Sequence, residues 1–257
     1  MIKRKFPHKT LLLLMLPVCQ TAIAEQGTFS LTSGIDFSSG KYGGSTATEV
    51  IYIPFTARYE TGDGLYKLTV PYISITGPGN VTPNIGRAVY ASNAARTDAG
   101  MGDVVATATR SLINSAQSGI VIDITGKVKF GTADKFKGLG SGANDYAGET
   151  SVYKIFGRAS VFGTIGYKIF GQSPGYTLNN TFYGSLGFSN KIDDQVSAGM
   201  IYDYRQATSS WGDPQKEWTI FLNRKINKQW KMQTYFFTGS GISSPDFGAG
   251  AMLTQIF

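Results

Sequence analysis

Histidine and cysteine are nearly missing from this sequence: its 257 residues hold one of each, His8 and Cys19. Both fall in an amino-terminal segment unlike the rest. Lys3, Arg4, Lys5 and Lys9 precede the apolar run Leu11 to Leu16, and the small-residue triplet Ala22, Ile23, Ala24 follows. That order is the pattern of a secretory signal cleaved after Ala24. Leu16, Pro17 and Val18 before Cys19 suggest a lipid-attachment box, but bulky Val18 stands where such boxes carry a small residue. Cleavage removes both rare residues. A mature chain of residues 25–257 then has no thiol for a disulfide, a nucleophile or a thiolate metal site, and no imidazole for general-base chemistry. Ser-His-Asp and Cys-His catalysis are excluded. Neither an enzyme nor a bound cofactor is expected.

Other absences narrow the class further. No apolar run approaches the roughly 20 residues that a membrane-spanning helix needs, and no stretch after Ala24 sustains a helical period. No Pro/Ser-rich linker or charge block divides the chain, so residues 25–257 read as one domain. Removing the four leader cations from 24 Lys and Arg leaves 20 against 17 Asp and Glu, a net of +3 with no basic cluster. Nucleic acid is therefore not an expected partner.

What is present is glycine (32), tyrosine (14) and phenylalanine (16), set in segments that alternate large apolar with small or polar residues at period two. In 120–130, Ile120, Ile122, Ile124 and Val128 share one face while Asp123, Thr125, Lys127 and Lys129 share the other. Twelve strands are predicted, at 28–38, 47–60, 65–76, 101–112, 119–130, 145–156, 159–170, 180–190, 195–206, 215–226, 229–239 and 246–257. Their connectors alternate between short turns and longer loops, the longest at 77–100, with 113–118 a medium-length exception on the short side. An even strand count with short turns at one end and long loops at the other is the arrangement of an all-β, closed, antiparallel transmembrane barrel, with periplasmic turns and extracellular loops. The expected location is a bacterial outer membrane, with lipid around the barrel. Ile122, Ile165, Leu186, Ile220 and Leu253 are expected to face that lipid. Tyr42, Tyr59, Tyr66, Tyr72, Tyr167, Tyr202, Trp218 and Trp230 lie near strand ends, where interfacial girdles want amphipathic rings. The last segment, ending on Phe257, resembles the terminal strand by which the barrel-assembly machinery recognises its clients, with Gln255 departing from the pattern. Pro54 and Pro71 fall inside predicted strands on the lumenal parity. Proline donates no ladder bond, so a bulge or kink is expected there.

Five blocks carry a family resemblance: DFSSGKYG at 36–43, VIYIPFTARYE at 50–60, LTVPYISITGPG at 68–79, GMGD at 100–103 and FGTADKFKGLG at 130–140. Together they make residues 36–146 resemble the outer-membrane family labelled for the meta-cleavage pathway of phenol degradation. Its members are treated as transporters of small, often aromatic, compounds. The resemblance implies an outer-membrane barrel and leaves the solute unspecified.

Alternation nominates the residues that would line a lumen: Arg58, Lys67, Asp123, Lys127, Lys129, Lys168, Asp203, Arg205, Lys225 and Lys231. An Arg or Lys facing lipid at mid-membrane costs about 2–4 kcal/mol, which argues for the inward register. Cations outnumber acids eight to two in this set, and Lys127, Lys129, Lys168 and Arg205 converge on the extracellular half. A net-positive mouth with anion preference is the expectation; internal pairing that plugs the barrel is the alternative. The 77–100 loop, holding Arg87, Arg96 and Asp98, is expected to fold inward as a constriction. The glycine-rich stretch at 138–145 lacks both the Lys-Ser/Thr ending of a phosphate loop and the spaced carboxylates of a calcium loop, and reads as a surface turn. The leading function is a channel or transporter for small solutes, aromatic or anionic ones being candidates. A structural or surface-binding barrel with a plugged lumen is the rival.

Overall fold

A computed structural model describes residues 27–79, 81–83, 85–87 and 95–257; the expected leader, 1–24, lies outside them. An antiparallel meander begins with β1 (Thr28–Gly40), β2 (Thr48–Glu60) and β3 (Gly64–Gly77). A small hairpin follows, β4 (Val81–Thr82) with β5 (Gly86–Arg87), before β6 (Arg96–Met101), β7 (Val104–Ser115) and β8 (Ile120–Phe130). The meander then runs through β9 (Asp145–Phe156), β10 (Ala159–Ile169), β11 (Thr181–Lys191), β12 (Val196–Arg205), β13 (Gln215–Lys225), β14 (Trp230–Ser240) and β15 (Phe247–Ile256). β15 returns to pair with β1, Ser30 opposite Ile256, and the sheet closes. β6 and β7 both pair with β3 and are two halves of one stave, so the barrel has twelve strands, in antiparallel order throughout.

The prolines explain the broken stave. Pro54 and Pro71 face each other across an unshifted β2–β3 ladder. On its other side β3 pairs with β7 up to Thr69 and with β6 from Tyr72. Between them Gly102 and Asp103 leave the ladder, with the Gly102 amide donating to Pro71 O at 2.8 Å. The irregularity expected from proline thus falls on the strand facing Pro71, because that neighbour is the one deprived of a donor. Around Pro54 the β1–β2 ladder leaves Ile53 and Pro54 unpaired without changing register. The medium-length connector also resolves: β7 continues to Ser115 past an irregularity between Ser111 and Ile113, leaving a short turn at 116–119.

The exterior is apolar, as burial on neither side of that face requires. Ile165 (65% exposed), Leu186 (62%), Ile220 (58%) and Leu253 (42%) point away from the barrel, and half-buried Ile122 shares the outward parity of Ile124. Outward charges on the described strands sit near strand ends: Glu49 and Lys216 at the long-loop end, Arg110, Lys154 and Arg224 toward the short turns. Tyr59, Tyr66, Tyr72, Tyr167 and Trp218 are exposed outward rings, and Tyr202 lies 4.8 Å from Trp218. Tyr42 is different: it is buried in a loop and belongs to no girdle.

Inside, hydroxyl pairs bridge adjacent strands at Thr32–Thr254, Thr56–Thr69, Thr109–Thr125 and Ser151–Thr164, each at 2.8–2.9 Å. These cross-strand pairs satisfy lumenal polar groups without filling the bore. Lumenal aromatic rings are kept against the wall by glycine. Phe162 pairs with Gly187, Tyr183 with Gly166 and Phe237 with Gly248, and a Cβ on any of these glycines would overlap the facing ring. The rings therefore lie over bare backbone, close against the wall. Here lies the structural use of the abundant glycine.

Candidate functional site

All ten residues nominated as lumenal have the inward parity in the ladders: Arg58 opposes Lys67, Lys127 opposes Thr107, Lys168 opposes Thr181, Asp203 opposes Glu217, and Lys225 opposes Lys231. The strands do not bring all ten together. Lys127, Lys129, Lys168, Asp203 and Arg205 line one cavity of about 560 Å³ in the long-loop half. Arg58 and Lys67 lie near the 61–63 turn, Lys225 and Lys231 beside the 226–229 turn, and Asp123 accepts from Ser111 at 2.5 Å toward the same end.

The expected cationic mouth is corrected by what accompanies these residues. Six further carboxylates, Asp36, Glu60, Asp103, Asp145, Glu149 and Glu217, face or reach into the lumen, so the eight-to-two excess disappears. Lys129, with its side chain 8% exposed, lies 2.8 Å from Asp103 and 3.2 Å from Asp145. Lys168 reaches the same Asp145 oxygen at 3.2 Å and sits 4.2 Å over the Phe170 ring. Lys127 binds Glu149 at 2.7 Å, and Tyr183 OH donates to that carboxylate at 2.8 Å. Parity in 145–156 and 215–225 was available to place Glu149 and Glu217 in the sequence. Asp103 had no such signal, because it enters the lumen only where the stave breaks.

The Lys129 cluster joins backbone segments far apart in sequence. Asp103 Oδ1 accepts from the Ala133 amide (2.9 Å), Asp145 Oδ1 from the Gly171 amide (3.1 Å), and Lys129 Nζ donates to Ser141 Oγ (3.1 Å). Its contacts to Asp145 Oδ2 are ionic, without hydrogen-bond geometry at that oxygen. The cluster therefore anchors the loops at 131–144 and 170–180 to the barrel rim. The glycine-rich stretch at 138–145 contributes Leu139 and Ser141 to this buried packing, so it is no exposed turn.

Above the cavity, residues 81–83 and 85–87 lie across the mouth. Ile85, 2% exposed, packs with Phe170 and Leu178, and its carbonyl accepts from Arg205 Nη2 (2.8 Å) and Thr208 Oγ1 (2.9 Å). Arg87 Nη1 donates to Tyr42 O at 2.9 Å, and the Arg87 backbone carbonyl accepts from Ser209 Oγ at 2.7 Å. Tyr42 takes a left-handed backbone (φ 49°), the one such non-glycine among the described residues, which aims its carbonyl at Arg87. Burial, with Glu217 and Asp246 nearby, pushes the Tyr42 phenol above its ordinary pKa, so it stays neutral. A second apolar cluster of Val50, Ile73, Ile75, Val81, Ala133 and Leu139 fills the β2–β3 side of the mouth. Of the loop residues expected at a constriction, Arg87 is in this cover. Arg96 and Asp98 are instead on β6, ion-paired with each other at 2.7 Å.

No family model matches the chain, and no curated protein matches it. Among solved structures, an outer-membrane channel from Pseudomonas putida F1 superposes with a TM-score of 0.70 at 12% identity, over 90% of this chain and 96% of that one. KdgM porin in complex with disordered oligogalacturonate gives a TM-score of 0.50 at 11% identity, over 87% and 97%. The fold is that of outer-membrane channel barrels. At such identities the likeness carries architecture and no residue roles.

Proposed function

We propose that the protein is an outer-membrane channel for small solutes, exported by a leader cleaved near Ala24, inserted by the barrel-assembly machinery, surrounded by lipid and without enzymatic activity. The observation that carries this reading is a charged cavity of about 560 Å³ inside a barrel whose outer face is apolar. Cavities of roughly 300–1,000 Å³ suit small organic molecules. The rings of Phe162, Tyr183 and Phe237, laid flat over glycine, support an open bore beneath the cover. The sequence blocks at 36–140 support a finer assignment, to the phenol meta-pathway family and small aromatic compounds. An anionic solute loses its main argument with the cationic mouth.

A plugged, structural barrel is favoured by one observation, the packed cover over the long-loop end. Liposome swelling with glycerol and arabinose separates the two readings. Permeation by these neutral probes is expected for the channel, and liposomes as tight as protein-free ones would leave the structural barrel.

A further inference from the structure

We infer that the upper cavity selects for solutes bearing a cationic, ammonium-type group, with Asp36, Asp203 and Glu217 as the specificity-determining residues. The inference rests on the channel reading and names its solute class. It follows from which charges are already engaged. Lys129 and Lys168 are held by Asp103 and Asp145, and Lys127 by Glu149. Arg205 binds Ile85 O and stands within electrostatic reach of Glu217 and Asp145. The four cations of the cavity lining are matched in number by its four carboxylates, Asp145, Glu149, Asp203 and Glu217, so a preference comes from which of them are already engaged.

In that lining the unengaged group is acidic. Asp203 is exposed to the lumen and has neither an ion pair nor a hydrogen bond among the described residues. Glu217, its cross-strand partner, has Arg205 as well as Asp203 and Asp36 within electrostatic reach. Asp36 accepts from Tyr235 OH at 2.6 Å and has no ion pair among the described residues. A neutral phenol or hydroxyl orients a carboxylate without cancelling its charge. The wall running from β12 through β13, β14 and β15 to β1 therefore presents the unpaired carboxylates Asp203 and Asp36, while the cations on β8 and β10 are engaged by their own neighbours. An entering cation gains what an entering anion loses.

Benzylammonium and benzoate, probes of equal size and opposite charge, test this by swelling of proteoliposomes, with glycerol as the neutral reference. Benzylammonium is expected to enter faster. Two unit charges acting across one Debye length of about 8 Å change the local cation-to-anion ratio by roughly fourfold, so Asp203→Asn with Glu217→Gln should lower the flux ratio by about that factor. Asp203→Glu with Glu217→Asp should keep most of the preference. On the wild type alone, the reversal potential under a KCl gradient should have the sign of cation preference and shrink as salt rises. Equal entry of the two probes, or a ratio that the neutralised variant leaves unmoved, overturns the inference while glycerol entry keeps the channel. Entry of none of the probes, glycerol included, overturns the channel reading and this inference with it.

Discussion

Lys129→Met removes a cation from between two carboxylates that are almost wholly buried, Asp103 and Asp145, with side chains 6% and 2% exposed. The methylene stem is kept, so packing changes little and the loss is electrostatic. Breaking a buried pair by removing one partner costs about 3–5 kcal/mol, because the charge left behind has no water to replace it. Asp103 also holds the Ala133 amide and Asp145 the Gly171 amide, so both loops should loosen with it. With urea slopes of roughly 1–3 kcal/mol per molar, the unfolding midpoint should fall by about 1 M or more. The assay is tryptophan fluorescence during urea unfolding in lipid vesicles, beside Lys127→Met as the comparison. Lys127 is 36% exposed in its pair with Glu149, and pairs open to solvent contribute about 0–1 kcal/mol. Adding Asp103→Asn to Lys129→Met should recover most of the loss, since a neutral amide replaces the one carboxylate left stranded, while Asp145 keeps Lys168 at 3.2 Å. A Lys129→Met cost no larger than that of Lys127→Met would refute the account of the cluster as the anchor of the rim.

Three further outcomes are expected. Ile85→Asp places a charge between Phe170 and Leu178 and should dislodge the cover at 85–87, seen as a rise in single-channel conductance; an unchanged conductance would mean that the cover does not limit passage. Ile220→Arg, mid-strand and outward on β13, should cost about 2–4 kcal/mol in urea unfolding, whereas Thr219→Lys, facing the lumen, should cost less; equal costs would contradict the assigned faces. Gly187→Ala should push the Phe162 ring off the wall and lower conductance, while Gly126→Ala, where nothing lies within 4 Å, should leave it unaltered.

Strand alternation, connector lengths and residue exclusions were properties of the sequence alone. In a barrel each stave decides for itself which residues meet lipid and which meet the lumen, so period two in 120–130 or 215–225 already separates Ile124 from Lys127 and Ile220 from Glu217. The same locality made twelve strands countable without knowing their neighbours. What the tertiary structure alone decided is how the lumenal charges are paired. Asp103 reaches Lys129 only because Pro71 withholds a donor and the facing stave breaks at Gly102. Asp145 becomes the shared partner of Lys129 and Lys168 only through the stagger of β8, β9 and β10. Parity gives a side chain's face but neither its height in the barrel nor its partner across the bore, and electrostatics depends on those distances. A count of inward residues therefore suggested a positive mouth, whereas their arrangement leaves Asp36 and Asp203 without an ion pair among the described residues.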